Sequence, residues 1–243
     1  MRSKQEFFTN QRGMYEMKWI KLQEIDSTNN YAKERRSEGE SVIITAQRQT
    51  GGRGTKGRSF ISSEGGVYLS ALRFYEHFFA KDAFKIMSGA AVAVCETLRF
   101  YGLNPVIKWA NDVFVGGKKI CGILIENTLS GDKISSSIVG IGLNVSNTLP
   151  DELSDIATTI YQQTGKNLCV EEVTKRLIEE LFKERTIDEY RSYLGFMGEE
   201  VTLVLADKSL PATLLSVDNE GRLIAEIDGC THVFSSAEVS VRL

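Results

Sequence analysis

Residues 106–126 read VIKWANDVFVGGKKICGILIE, and this stretch decides the fold. Two β-rich runs, 106–115 and 118–126, flank the pair Gly116-Gly117. A glycine pair between two such runs is typical of a tight turn. The stretch therefore predicts an antiparallel hairpin, and the next β-rich run, 133–145, extends it into a meander after a turn at 130–132.

Polar side chains interrupt the first apolar run at Lys108-Trp109-Ala110-Asn111-Asp112. Alternation along one strand predicts that Lys108, Ala110 and Asp112 share a face. Polar groups inside a central strand are costly unless they are paired or used. Two interpretations stay open: Lys108 and Asp112 form a paired, solvated face, or they belong to a site. The same alternatives apply to Lys119, which borders the second apolar run after the turn.

Further strands and helices are predicted on both sides of this hairpin. β-rich runs cover 17–25, 41–46 and 66–74. Helical patterns cover 30–37 after the N-cap cluster 26–29, 83–101 with a stop at Gly102, 151–163 and 170–193.

The pattern changes after Gly195, where short β runs follow one another closely. They cover 200–205, 210–217, 222–227, 230–234 and 239–243, with turns at 206–208, 218–221 and 228–229. Closely spaced short strands are typical of a small barrel. We therefore expect an N-terminal leader at 1–16, a main domain at 17–196 and a small β domain at 197–243.

Composition excludes several classes of protein. The 243 residues carry a formal net charge of −3, which argues against a nucleic-acid binder that relies on an overall positive field. The chain has no apolar run of about 18 residues, so no membrane span is expected. The four cysteines are scattered and the two histidines lie far apart, which argues against a metal site and favours free thiols in the cytoplasm.

Residues 51–58, GGRGTKGR, pack four glycines and three cations into eight positions. Glycines let backbone N–H groups approach an anion closely, so the loop is either a cradle for phosphate or carboxylate or a solvated basic turn. It also matches the dinucleotide fingerprint and nearly matches a P-loop, but both require a helix next, and residues 59–66 (SFISSEGG) predict none. Gly140 and Gly142, two apart in a strand, would let a flat ligand lie against the sheet.

Taken together, five segments resemble the catalytic domain of biotin protein ligases, in order and in spacing. They are Asp26-Ser27-Thr28-Asn29, Gln49-Thr50-x-Gly52-Arg53-Gly54-x-x-Gly57-Arg58, Lys108-Trp109-x-Asn111-Asp112, Lys119-x-x-Gly122-Ile123-Leu124-x-Glu126 and Gly140-x-Gly142-x-Asn144. The resemblance covers about 17–195, and the last part of the chain resembles the SH3-like domain of that family. It implies an α+β fold, with a mixed or antiparallel sheet related to the class II aminoacyl-tRNA synthetase core.

The resemblance also implies a reaction and its participants. Biotin and ATP, with Mg²⁺, give biotinyl-adenylate, and the biotin then passes to a lysine of a biotin carboxyl carrier protein or domain. Lys119 and Arg53 match the catalytic positions. The substrate-binding positions are Ser27, Thr28, Asn29, Gln49, Gly52, Arg53, Gly54, Thr55, Lys119, Gly122, Gly140 and Gly142. The nucleotide-side positions are Lys56, Arg58, Phe60, Asn111, Asp112 and Asn144.

This sequence departs from the family pattern at three positions: Thr55 where arginine is common, Phe60 for a usual tryptophan and Ala110 for a usual proline. Either Lys56 or Arg58 supplies the missing charge, or the adenylate is held less tightly. A DNA-reading helix-turn-helix does not fit before Met17, so we expect a ligase without repressor function, acting as a monomer or homodimer. The alternatives are a lipoate or octanoyl ligase, whose motifs differ here, and a binding protein without catalysis.

Overall fold

The computed structural model describes residues 3–9, 16–206 and 208–242, apart from the side chains of Ser3 and Lys56. Eight strands form one mixed sheet: β1 Ser3–Thr9, β2 Glu16–Ile25, β3 Val42–Gln49, β4 Val67–Phe74, β5 Val106–Lys108, β6 Asp112–Val115, β7 Lys118–Ser130 and β8 Lys133–Leu143. Their order is β1-β2-β3-β4-β8-β7-β6-β5. Neighbours run antiparallel except β2 and β3, which are parallel.

Helices cover both faces of this sheet, so that it has a core on each side. The helices are α1 Thr28–Arg35, α2 Phe84–Phe100, α3 Ile160–Thr164, α4 Val170–Leu181 and α5 Ile187–Ser192. The larger core contains the fully buried middle of α2, together with α4, α5 and the sheet residues Leu69, Ile123 and Ile141. The smaller core lies under α1, where Ala32 joins Ile44 and Leu72. Burial of this apolar surface is the main force that holds the layers together.

A second sheet follows at the C-terminal end, with strands β9 Glu200–Val204, β10 Ser209–Val217, β11 Leu223–Ile227, β12 Cys230–Phe234 and β13 Ser240–Arg242. All of its pairs are antiparallel, in the order β12-β11-β10-β9-β13. These strands follow the predicted runs closely. Two predicted details involve Asp207, in the turn at 206–208, and Leu243, which lie outside the described residues.

The prediction of one continuous strand over 106–115 is wrong. The chain turns at Trp109-Ala110-Asn111, and β5 pairs with β6 so that Lys108 lies opposite Asp112. The turn contains no glycine or proline. A residue distant in the sequence holds it instead, since the Tyr190 hydroxyl donates to the Ala110 carbonyl at 2.9 Å. Lys108 and Asp112 do share a face of the sheet, but through cross-strand pairing rather than through alternation.

Two predicted helices are also wrong. Residues 151–163 form a 3₁₀ turn at Asp151–Leu153 that continues as turns over 154–156, and then α3. Between them, residues 156–158 pair with the backbone of Lys119. The run 170–193 is broken into α4 and α5, because Thr186 caps α5 in a capping box with Glu189.

Differences at the N-terminal side are smaller. The helix α1 begins at Thr28, two residues before the predicted start, with Ser27 as its N-cap. Part of the predicted leader forms β1, which pairs with β2 at the edge of the sheet. Its residues 1–2 and 10–15 lie outside the described part. Among the helices of the described residues, none is long and apolar enough to cross a membrane.

Candidate active site

A cleft with about 630 Å³ of empty space, partly open to solvent, lies between α1, the loop 51–60 and the face of the sheet beneath α1. The predicted residues that line it are Ser27, Thr28, Asn29, Gln49, Arg53, Gly54, Thr55, Arg58, Phe60, Asn111, Asp112, Lys119, Gly122, Gly140 and Gly142. The structure thus brings residues of all five motifs to one cavity.

Two predicted site residues whose atoms are all described, Gly52 and Asn144, are not part of this lining. Gly52 lies within the loop 51–60, and its carbonyl accepts from the Phe60 N–H at 2.9 Å. Asn144 is buried, and its amide donates to the Thr158 carbonyl at 3.1 Å and accepts from Asn147 at 3.2 Å. Its contacts are therefore with the segment after β8. The side chain of Lys56 lies outside the described residues.

The floor of the cleft is formed by two neighbouring rows of paired residues on the sheet. In one row Asp112 pairs with Gly122, which pairs with Gly142. In the next row Gly140 lies between Leu124 and Ser70. Because the glycines have no side chains, other groups lie directly on the backbone there. An added Cβ would overlap the Asn29 amide at Gly140 and would lie 2.5 Å from the Phe60 ring at Gly142.

One end of the cleft carries a network of neutral polar groups. The Thr28 N–H and hydroxyl donate to Gln49 Oε1 at 2.8 and 3.1 Å, and Gln49 Nε2 donates to the Ser62 hydroxyl at 2.8 Å. The Ser70 hydroxyl is within 2.8 Å of Thr28 Oγ1 and 2.5 Å of Asn29 Oδ1. These contacts fix the rotamers of the side chains, so this end is pre-organised for a neutral polar ligand group.

Glu126 connects this network to the cations of the cleft. It accepts from Asn29 Nδ2 at 2.9 Å, pairs with Lys33 at 2.7 Å and lies 3.8 Å from the Arg53 guanidinium. Burial alone would raise the pKa of this carboxyl, but the hydrogen bonds from Lys33 and Asn29 hold it below its usual value. Arg53 itself donates to Asn30 Oδ1 at 3.0 Å. The carboxylate thereby links α1 to β7 and to the glycine-rich loop.

The other end of the cleft is basic. Lys119 Nζ pairs with Asp112 at 2.7 Å, and Lys108 lies opposite Asp112 on β5. Burial lowers the pKa of Lys108, with Asp112 opposing the shift and the positive charges of Lys119 and Arg58 adding to it. The Arg58 guanidinium folds back on Thr55, with 3.2 Å to its carbonyl and 3.0 Å to its hydroxyl. An anion at this end meets several cations and one carboxylate.

A β-bulge aims Lys119 into the cleft. Val113 pairs with Cys121 but Phe114 pairs with Lys119, which leaves Ile120 as the extra residue. In a regular strand Lys119 and Gly122, three residues apart, would face opposite sides. The bulge puts both on the cleft side, and an added Cβ on Gly122 would lie 3.3 Å from Lys119 Nζ. Strict alternation could not predict this joint placement.

Sequence reasoning missed two polar residues of the site. Ser70 is a buried serine in an apolar run, and nothing in the local pattern distinguishes it. Glu126 ends one of the five segments, but the sequence predicted no role for it. Its position at the end of an otherwise apolar β run was the available signal.

The comparisons with known proteins agree with this geometry. The family model for the biotin/lipoate A/B protein ligase family matches residues 20–144, just over half of the chain. The chain belongs to this family, and the predicted resemblance and fold class are confirmed.

Individual relatives show the same likeness. The chain is 33% identical to the bifunctional ligase/repressor BirA of Bacillus subtilis over 81% of its own length and 65% of that protein. It therefore spans a little under two thirds of that relative. It is 26% identical to the biotin–[acetyl-CoA-carboxylase] ligase of Mycobacterium tuberculosis, over 82% of this chain and 79% of that one. The solved Aquifex aeolicus biotin protein ligase in complex with biotin and ATP aligns with a TM-score of 0.71 at 33% identity, covering 92% of this chain and 98% of that one.

Proposed function

We propose that this protein is a biotin protein ligase, which makes biotinyl-5′-AMP from biotin and ATP and transfers the biotin to a lysine of a biotin carboxyl carrier protein or domain. The observation that carries the proposal is the division of one cleft into a neutral polar end and a basic end over a glycine floor. A neutral heterobicyclic ring with a carboxylate tail, such as biotin, matches that division. The similar Aquifex aeolicus ligase was solved with biotin and ATP.

The first step brings two anions together, because biotin carries a carboxylate and ATP a polyphosphate. A biotin carboxylate oxygen attacks the α-phosphorus of ATP, and pyrophosphate leaves. Lys119 and Arg53 offset the repulsion and stabilise the charge that builds on the α-phosphate. Arg58, Phe60, Asn111 and Asp112 are assigned to the nucleotide side together with Lys56, and Ser27, Thr28, Asn29 and Gln49 to the biotin side.

Mg²⁺ enters this proposal as part of the ATP substrate. Among the described residues no group of three or more His, Cys, Asp and Glu side chains is placed to hold a metal ion. Mg²⁺ that is bound mainly by phosphates and water needs only one or two protein carboxylates. Asp112, the one carboxylate among the described residues lining the cleft, fits that requirement.

The second step transfers the biotinyl group. The neutral amine of the acceptor lysine attacks the acyl carbon, the bond to the phosphate oxygen breaks, and AMP leaves as the amine loses its proton. Acyl-adenylates hydrolyse readily, so the loop 51–60 has to exclude water until the acceptor arrives. The proposal includes a cytoplasmic location, since all four cysteines are free thiols.

The test is ATP–pyrophosphate exchange with biotin, with lipoate and with neither, followed by transfer to a carrier domain. We expect exchange that depends on biotin, and label on the carrier lysine. Exchange with lipoate alone would make the protein a lipoate ligase instead. Biotin binding without exchange would make it a binding protein without catalysis.

A further inference from the structure

The hairpin turn Trp109-Ala110-Asn111 stands next to three charged or polar cleft residues. Lys108 precedes it, Asn111 ends it, and Asp112 follows. On the cleft side, Asn111 is tied to β7, because its side chain donates to the Ile123 carbonyl at 2.8 Å and its own carbonyl accepts from the Ile123 N–H at 3.0 Å. The placement of the basic end therefore depends on how this turn is held from behind.

Behind the turn lies a loop of the C-terminal sheet. Trp109 Nε1 donates to the Gly221 carbonyl at 2.9 Å, in a buried contact between residues 112 positions apart. Gly221 has φ +75° and lies against the Phe84 ring, so closely that a Cβ there would overlap the ring. The backbone of residue 221 is thus held between Trp109 and Phe84, with no room for a side chain.

The helix α5 braces both parts. Its Tyr190 is fully buried and donates to the Ala110 carbonyl at 2.9 Å, while packing edge-on against Phe84. The next residue, Arg191, donates to the Val217 carbonyl at 3.1 Å and to Asn219 Oδ1 at 2.8 Å. One helix therefore ties the hairpin turn and the C-terminal loop to each other.

Hydrogen bonds within the loop hold its conformation. Asp218 Oδ1 accepts from the backbone N–H groups of Glu220 and Arg222 at 2.9 Å each, and Asp218 Oδ2 accepts from Arg222 Nε at 2.6 Å. A side chain that caps its own turn in this way restricts the backbone conformations available to it. The loop can therefore transmit a fixed position rather than follow the hairpin.

We propose that the loop 218–222 positions the nucleotide end of the cleft, with Gly221 and Trp109 as positioning residues that act through Asn111 and Asp112. This rests on the proposed function, because it assigns the effect to the ATP side of that reaction. Among the described residues, no hydrogen bond or ion pair joins the biotin side, on α1 and β3, to Tyr190, Arg191 or the loop 218–222. Small displacements of positioned groups reduce rates by up to about 100-fold.

The test compares Gly221→Ala with Gly229→Ala. Gly229, in the same sheet, has φ +74° and no atoms within 4 Å of an added Cβ. Both changes carry the same backbone strain, but only the first displaces the loop. We expect Gly221→Ala to raise the KM for ATP in biotin-dependent exchange by about tenfold or more. The dissociation constant for biotin and the number of biotin molecules bound per chain should both stay within about twofold of the unmodified protein. Gly229→Ala should leave both unchanged.

Two further variants guard against misfolding of Gly221→Ala. Trp109→Phe keeps the ring but removes the N–H donor, and should raise the KM for ATP in the same direction. Phe84→Leu in the Gly221→Ala background should recover part of the loss by making room. Equal KM values for the two glycine variants, or a parallel loss of biotin binding, would overturn the inference. Absence of biotin-dependent exchange in the unmodified protein would instead reject the proposed function.

Discussion

Lys119 and Lys118 are adjacent in the sequence but have different surroundings. Lys119 pairs with Asp112 inside the cleft, and Lys118 donates to the Ser154 carbonyl at 2.6 Å on the exposed side. We expect Lys119→Ala to reduce adenylate formation at least about 100-fold, because in the proposed mechanism Lys119 stabilises charge on the α-phosphate. Lys118→Ala is the matched control and should stay within about twofold. ATP–pyrophosphate exchange assays on both variants test this. An inactive Lys118 variant beside an active Lys119 variant would mean that the assigned register of β6 and β7 is wrong.

Thr55 tests whether the protein compensates for the arginine that is common at this position in the family. Its hydroxyl and carbonyl both accept from Arg58. We expect Thr55→Arg to slow release of biotinyl-adenylate by about tenfold, since one partly exposed charge-assisted contact contributes about 1–2 kcal/mol. Rapid quench measures the release, and labelling of bystander lysines should fall with it.

The controls separate charge from loop structure. Thr55→Val removes only the hydroxyl that Arg58 contacts, so it should leave release unchanged if added charge is what matters. Lys56→Ala tests whether Lys56 already supplies the charge. Fast release from Lys56→Ala, together with no effect of Thr55→Arg, contradicts the leakage hypothesis.

At the scale of elements, Glu126 links α1 to β7 through Asn29 and Lys33. Its pKa in the folded protein is below the ordinary value of 4.5, so the carboxylate stabilises the fold above that pH. The stabilisation is lost as the pH falls through the lowered pKa of the folded state. We expect Glu126→Gln to lower the free energy of unfolding by about 1 kcal/mol at pH 7 and to flatten its decline below pH 4.5. Urea unfolding between pH 3 and 7 measures both, and parallel curves for the two proteins would contradict the assignment.

Elements were predictable where local pattern and tertiary packing agree. The helix α2 is apolar on most faces and stops before Gly102, and it lies in the core as expected. The β5–β6 turn was not predictable, because Tyr190 and Gly221 hold it from 80 and 112 residues away. Residues 156–158 likewise pair with the backbone of Lys119 instead of continuing as a helix. In both places, contacts distant in sequence outweigh local propensity.

At the scale of the whole molecule, the cleft is assembled from segments that are far apart in the sequence. The motif residues could be named in advance, but their geometry could not. The bulge at Ile120 and the pairing of Asp112 with Gly122 and Gly142 arise only when the sheet forms. Ser70 shows the same limit, because its role depends on α1 lying above it.

The Phe60 ring lies directly on the backbone of Gly142. If the proposed ligand lies flat on Gly122 and Gly142, it has to displace this ring, and its apparent affinity is then lower than its intrinsic affinity by the free energy of that displacement. If the ring on Gly142 is more stable than the displaced ring by about 1.4 kcal/mol, the apparent dissociation constant of the ligand rises about tenfold. The Phe60 ring would then compete with the ligand for the same place on Gly142, and this competition does not depend on protein concentration because both belong to one binding event on one chain. Substitutions in the loop, including those at positions that do not contact the ligand, would then shift the substrate concentration to which the protein responds.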